Sequence, residues 1–261
     1  MLKKRLIPVL FIKNGLIVRS EKFTHHKIIG NVINEVKRYN QWNVDEIIYI
    51  DISREKIFDS RRDDHKVKNF TSLLDILKNV ASECFMPLSF GGGIRTFETI
   101  EKFLRNGADK VIVNTLAFED SSIIKKAVQA FGSQAVVLSL DYKLIDNKPI
   151  FFSNNGTVKQ DIDYLNISNF ISELGVGEVL LNSINKDGSG DGYDLDFISL
   201  ISNMIEVPII ACGGAASSFD FMELASLSSV SGIAAGNMFH FTENAYPRAK
   251  QLLKNKGFDF R

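Results

Sequence analysis

Neither sign of charge is in excess in this sequence: Lys and Arg together number 31, and so do Asp and Glu. That balance removes the global attraction to nucleic acid or to an anionic membrane that a basic chain would carry. Long apolar runs are missing too, and nothing approaches the roughly 20 residues of a membrane span. Cysteine is down to two residues, Cys84 and Cys212. Each sits in or beside an apolar strand pattern, which reads as a buried, reduced thiol in a reducing compartment. Histidine is sparse, and His25-His26 and His240 lack partners at metal-ligand spacing, so no metal site is expected. The opening Lys3-Lys4-Arg5 followed by Leu6 to Ile12 superficially resembles a secretion signal. Pro8 interrupts that run, Lys13 ends it and no small-residue cleavage site follows, so a cytoplasmic location is expected.

What is present is a regular alternation. Short apolar runs at Arg5–Phe11, Glu46–Asp51, Met86–Phe90, Lys110–Asn114, Ala135–Asp141, Glu178–Asn182, Pro208–Cys212 and Gly232–Gly236 are rich in Ile, Val and Leu. They are nearly continuous rather than alternating, as suits parallel strands covered on both faces. Helical periodicity occupies Val32–Asn40, Ser72–Ser82, Thr96–Asn106, Ser121–Phe131, Asp161–Leu174, Leu195–Met204, Ser217–Leu227 and Glu243–Lys254, several of them opening after Ser, Thr or Asp. Eight βα units predict one closed (β/α)₈ barrel spanning residues 1–261. An open doubly wound sheet is the alternative, and the lack of a dominant G-x-G-x-x-G near the start argues against it.

Two stretches stand out. Leu88-Ser89-Phe90-Gly91-Gly92-Gly93-Ile94-Arg95 reads as strand, glycine turn and helix start, and Lys110-Val111-Ile112-Val113-Asn114-Thr115 follows as a second strand. Pro208-Ile209-Ile210-Ala211-Cys212-Gly213-Gly214-Ala215 and Ile233-Ala234-Ala235-Gly236-Asn237 repeat the arrangement. A glycine turn that opens a helix aims backbone N–H groups at an anion, so two matched copies predict a substrate with a phosphate at each end. The halves also echo one another. Glu46 and Glu178 are 132 residues apart in matching runs, and Lys13 and Lys143 are 130 apart. That is a two-fold repeat of four βα units.

Chemistry in a barrel belongs at the C-terminal strand ends. Asp141 ends an apolar run there and is a candidate general acid or base. Asp187, in the glycine-rich Asn185–Gly192 loop, is either a site residue or a turn aspartate. Asp51 either contributes to the site or caps its own loop. The loop Ser53–Lys68 carries Arg54, Lys56, Arg61, Arg62, His65, Lys66 and Lys68. It reads as a solvated charged loop, or as one that screens substrate phosphates.

Gly91-Gly92-Gly93-Ile94, Gly107-Ala108-Asp109-Lys110-Val111, Phe131–Val137, Lys186-Asp187-Gly188, Ile209–Ala215 and Met238-Phe239-His240-Phe241 keep an order and spacing that resembles the cyclase subunit of imidazole glycerol phosphate synthase. The resemblance implies a barrel built from duplicated halves, with no organic cofactor or catalytic metal. It implies a lyase that takes ammonia from a glutaminase docked at the barrel bottom and adds it to a bis-phosphorylated ribulosyl formimino nucleotide. The family's phosphate sites fall on Gly92, Gly93, Asn114 and Thr115, and on Asp187, Gly188, Gly213, Gly214, Gly236 and Asn237, where Gly-Asn replaces the usual Ala-Ser. The loop lysine falls on Arg19. The fourth- and seventh-strand serines fall on Ile112 and Cys212. The family's ring of charges gating ammonia falls on Arg5, Glu46, Lys110 and Glu178, and an aspartate that meets the glutaminase falls on Asp109.

One departure matters most. Of the two catalytic aspartates, one matches Asp141, while the other falls on Phe11 in Phe11-Ile12-Lys13-Asn14-Gly15. A phenyl ring cannot transfer a proton, so the acid–base pair is broken. The passage is retained while the mouth is altered. The resemblance therefore extends to paralogues of surface-polysaccharide (lipopolysaccharide) clusters, in which the barrel supplies ammonia to a separate enzyme that makes an amidino sugar. Two readings stand beside it: a working histidine-pathway cyclase in which Asp51 or Asp187 stands in, and a non-catalytic barrel that activates its glutaminase.

Overall fold

The computed structural model describes residues 3–54, 70–240 and 242–261. Of the charged loop, Lys56, Arg61, Arg62, His65, Lys66 and Lys68 lie outside the described residues, as does Phe241. Eight parallel strands close on themselves in the order β1 (Arg5–Lys13), β4 (Ile47–Asp51), β5 (Leu88–Gly91), β6 (Lys110–Val113), β7 (Val136–Ile145), β10 (Glu178–Ser183), β11 (Ile209–Cys212) and β12 (Val230–Ala235), with β12 pairing back to β1. Outside them run α1 (Val32–Gln41), α2 (Leu73–Glu83), α3 (Phe97–Arg105), α4 (Thr115–Glu119), α5 (Ser121–Phe131), α6 (Ile167–Leu174), α7 (Leu195–Met204), α8 (Ser218–Ala225) and α9 (Ala245–Asn255). This is the (β/α)₈ barrel that the sequence predicts.

The caps are local chemistry. Asn31, Ser72, Thr96, Asp120 and Ser217 each accept a backbone N–H of the first helical turn through the side chain. The core has two compartments, because side chains alternate across each strand. Outward-facing residues pack with the helices in one large cluster that includes Leu6, Tyr49, Phe90, Leu138 and Leu181. Inward-facing Ile7, Val9, Phe11, Ile48, Ile112, Val137, Leu180, Ile210, Cys212 and Ala234 form a second cluster inside the barrel. No helix among the described residues is long and apolar enough to cross a membrane.

The structure adds two antiparallel extensions. After β1 come β2 (Leu16–Glu21) and β3 (His25–Asn31), and β7 runs on past Asp141 to pair with β8 (Lys148–Ser153), itself joined to β9 (Val158–Lys159). The turns are built from residues that tolerate positive φ: Asn14 and Gly15 in the first half, Asp146 and Asn147 in the second. The segment expected as one helix from Asp161 begins instead with a short 3-10 turn at Tyr164–Asn166, capped by Asp163, and α6 starts only at Ile167. The repeat is preserved in register: Phe11 pairs with Ile50, and Asp141 with Asn182.

Candidate active site

At the C-terminal end of the barrel, β1 and β7 bring Phe11 and Asp141 to equivalent places in the two halves. Phe11 is 5% exposed and belongs to the interior apolar cluster. Its ring lies close to Gly236, where an added Cβ would sit 3.6 Å from Phe11 Cε2. The first half of the mouth is thus apolar, with Phe11, Val18, Ile50 and Ile112 grouped together. The second half is polar. Asp141 Oδ1 accepts hydrogen bonds from Ser139 Oγ at 3.0 Å and Asn182 Nδ2 at 3.3 Å. Burial pushes the Asp141 carboxyl up to about 6, against the two hydrogen bonds that favour its charged form. A carboxyl poised there can exchange a proton near neutral pH. Ser139 lies two residues before Asp141 on the same face of β7. The period of two along a strand is the sequence signal that places it there.

Asp187 is buried and does two structural jobs. Its Oδ2 accepts from Ser20 Oγ at 2.6 Å and Phe23 N at 3.2 Å, and its carbonyl accepts from Lys22 N at 2.9 Å. It clasps the β2–β3 turn, and burial raises its carboxyl above the usual range. Gly188 has φ +66°, and an added Cβ would lie 2.5 Å from Ser20 O, so the loop after β10 sits hard against the same hairpin. Asn237 Nδ2 donates to Ser20 O at 2.7 Å. Asp51 Oδ1 accepts from Ser53 Oγ at 2.6 Å and Ser53 N at 3.2 Å, so its carboxylate caps the loop that follows it.

The glycine turns mirror one another. An added Cβ at Gly92 would meet Asp51 O at 2.1 Å, and one at Gly213 would meet Ser183 O at 2.7 Å, where Asp51 and Ser183 are repeat equivalents. Gly214 packs on Gly192 O, while Gly93 faces open space. Asn114 spends its side-chain amide on Ser139 O (3.0 Å) and Phe152 O (3.2 Å). Thr115 Oγ1 accepts from Asn154 N at 3.1 Å and donates to Asn114 Oδ1 at 3.3 Å. These two side chains brace the second hairpin. Arg19 stands on β2 opposite Lys27 in register.

At the opposite end the four expected charges meet. Arg5 Nη1 donates to Glu46 Oε2 at 2.5 Å and its Nη2 pairs with Glu178. Lys110 Nζ reaches Glu46 Oε1 at 2.9 Å and Glu178 Oε2 at 2.8 Å. Ser89 Oγ adds a bond to Glu46 at 2.9 Å. Burial raises the Glu46 carboxyl, and Arg5 and Lys110 outweigh that, leaving it below its ordinary value. Asp109 is exposed beside the ring, and its Oδ2 accepts from Leu88 N at 2.8 Å, fixing the start of β5.

A two-fold-repeated (β/α)₈ barrel with paired glycine turns at one end and a closed ring of charge at the other defines a class of half-barrel-duplicated proteins. The family model described as "Histidine biosynthesis protein" matches residues 5–245. The chain is 37% identical over 261 residues to the imidazole glycerol phosphate synthase subunit HisF of Sulfurisphaera tokodaii, covering all of both chains. Full coverage also holds for the HisF subunits of Clostridium botulinum (35% over 263 residues) and Chlorobium luteolum (35% over 261). The chain belongs to this imidazole glycerol phosphate synthase cyclase-subunit family.

Proposed function

We propose that this chain is a divergent member that keeps ammonia delivery and has lost the ordinary cyclisation. Its substrate carries a phosphate at each end. One phosphate lies on the backbone amides around Gly92, Gly93 and Thr115, the other on those around Gly188, Gly214, Gly236 and Asn237, with Arg19 above the mouth. Ammonia comes from a glutaminase subunit that docks on the end bearing Asp109. It enters through the Arg5–Glu46–Lys110–Glu178 ring and rises past Ile7, Ile48 and Leu180. The ring is closed by ion pairs, so entry requires one cation to swing aside. Lys110 is the better placed, with its side chain 19% exposed against 8% for Arg5.

The observation that carries the reading is Phe11. Ring closure with loss of a leaving fragment needs one group to donate a proton while another accepts one. Asp141 serves one of these roles, and a buried phenyl ring fills the other's place. Asp51 and Asp187 are poor substitutes, because the first carboxylate is hydrogen-bonded within its own loop and the second to the β2–β3 hairpin. Ammonia then leaves for an acceptor elsewhere, and an amidino-sugar-forming enzyme of surface-polysaccharide synthesis fits the altered mouth. The second reading, a histidine-pathway cyclase, is favoured by full-length likeness to subunits of that synthase.

The test uses the purified chain with the ribulosyl formimino nucleotide of histidine synthesis. The expected result is saturable binding by calorimetry with no ammonium-dependent consumption. Turnover at an ordinary enzymatic rate would establish the second reading instead.

A further inference from the structure

Lys13 stands two residues beyond Phe11 on the same face of β1, at the rim of the mouth. Its Nζ lies 3.4 Å from His26 Nδ1 on β3. Its repeat equivalent, Lys143, has a different environment: Nζ donates to Gly156 O at 3.2 Å and lies 4.5 Å from the centre of the Phe152 ring. One lysine is satisfied by a carbonyl and an aromatic face, and the other faces a ring nitrogen. Positive charge gathers around that ring. Burial first, then Lys13, Arg54 after β4 and the adjacent His25, hold the His26 imidazole below its usual range. The nearby acids have other roles. Asp51 binds Ser53, whose hydroxyl also takes Asn14 N at 2.8 Å, and Asp187 binds Ser20, the register partner of His26. Arg19 pairs in register with Lys27, and Glu21 with His25, farther along the hairpin.

We propose that Lys13 and His26 form an anion-binding subsite at the rim over β1, separate from the two glycine cradles, which receives an acidic group, phosphate or carboxylate, of a molecule in the mouth. An anion here reverses the local field. It makes the imidazolium favourable, and His26 takes up a proton as the anion binds. The subsite does not depend on the paralogue reading, because it uses neither Asp141 nor the ring.

The experiment is an NMR titration of the histidine rings in the full-length chain, in chloride, inorganic phosphate or acetate at constant ionic strength. The His26 midpoint is expected to rise by about half a pH unit or more in phosphate over chloride. An equal rise in acetate identifies a site for carboxylates as well as phosphates, and phosphate alone a site for phosphates. Lys13→Met should weaken phosphate binding, read at His26, about tenfold, while the Gly93 and Gly214 amides still shift as the cradles fill. A His26 midpoint that is the same in all three anions overturns the subsite. Glycine amides that stay still would count against the cradles and leave the His26 result to stand on its own.

Discussion

Arg5→Met tests whether the four-charge ring is one interdependent unit. Arg5 bridges both carboxylates, and the side chains of Arg5, Glu46 and Glu178 are 8%, 1% and 9% exposed. Removing it leaves two buried carboxylates to share Lys110 and removes a donor to Ser231 Oγ at 3.1 Å. Breaking a buried pair from one side costs about 3–5 kcal/mol, because the stranded charge stays desolvated. With a urea dependence near the top of the usual range, about 3 kcal/mol per molar, the midpoint should fall by about 1 M or a little more. The pH dependence supplies a second check. The Glu46 carboxyl is held below its ordinary value, so the stability it contributes is present above the unfolded carboxylate pKa and is lost as pH falls through the depressed one. The deficit of Arg5→Met should therefore be largest at neutral pH and narrow in acid. Arg5→Met combined with Glu178→Gln should recover part of the loss, since neighbours in one network are not additive. A deficit below about 1 kcal/mol at pH 7, unchanged in acid, is what a surface ion pair would give and would refute the argument.

Asp141 and the glycine turns give two further expectations. The folded pKa of Asp141, about 6, lies above its unfolded value, so the ionised form carries a penalty that is absent near pH 3.5 and complete above about pH 7. Asp141→Asn should accordingly be about 2–3 kcal/mol more stable than the unmodified chain at pH 8 and no more stable at pH 3.5. Chemical denaturation at the two pH values checks this, and a pH-independent difference counts against it. Gly92→Ala forces a Cβ to within 2.1 Å of Asp51 O and should abolish soluble expression or cost well over about 3 kcal/mol. Gly93→Ala meets open space at φ +63° and should cost only about 1–2 kcal/mol in melting experiments. Equal losses at the two positions would mean that the backbone approach at Gly92 is not tight.

The barrel was legible because its strands are buried on both faces. Runs such as Ala135–Leu140 and Glu178–Leu181 need no tertiary information to read as parallel strands. The ring was legible by resemblance, and its place follows, since Arg5, Glu46, Lys110 and Glu178 stand at the start of four apolar runs and so at the N-terminal ends of their strands. The hairpins were not read, although Asn14-Gly15 between Lys13 and Leu16 is a strong two-residue turn signal. Polar strands such as His25–Asn31 lie over the mouth with one face wet, so they carry no continuous apolar run. Missing them hid what Asp187, Asn114 and Asn237 do. The clasp of Asp187 on Ser20 spans 167 residues of sequence, and no spacing rule reaches that far. Asp141 could be named from its strand end and Ser139 from the period of two along the same strand, but the Asn182 donor needed the register of β7 against β10.

The measurement that tests the central claim most directly is ammonium-dependent consumption of the ribulosyl formimino nucleotide by Phe11→Asp, run beside the unmodified chain and Phe11→Asp/Asp141→Asn. The account predicts that activity appears only in Phe11→Asp, at least about a hundredfold above the other two, as the return of one acid–base partner should give. Full activity in the unmodified chain, unchanged by Phe11→Asp, would contradict it and place the proton transfers on groups other than this pair.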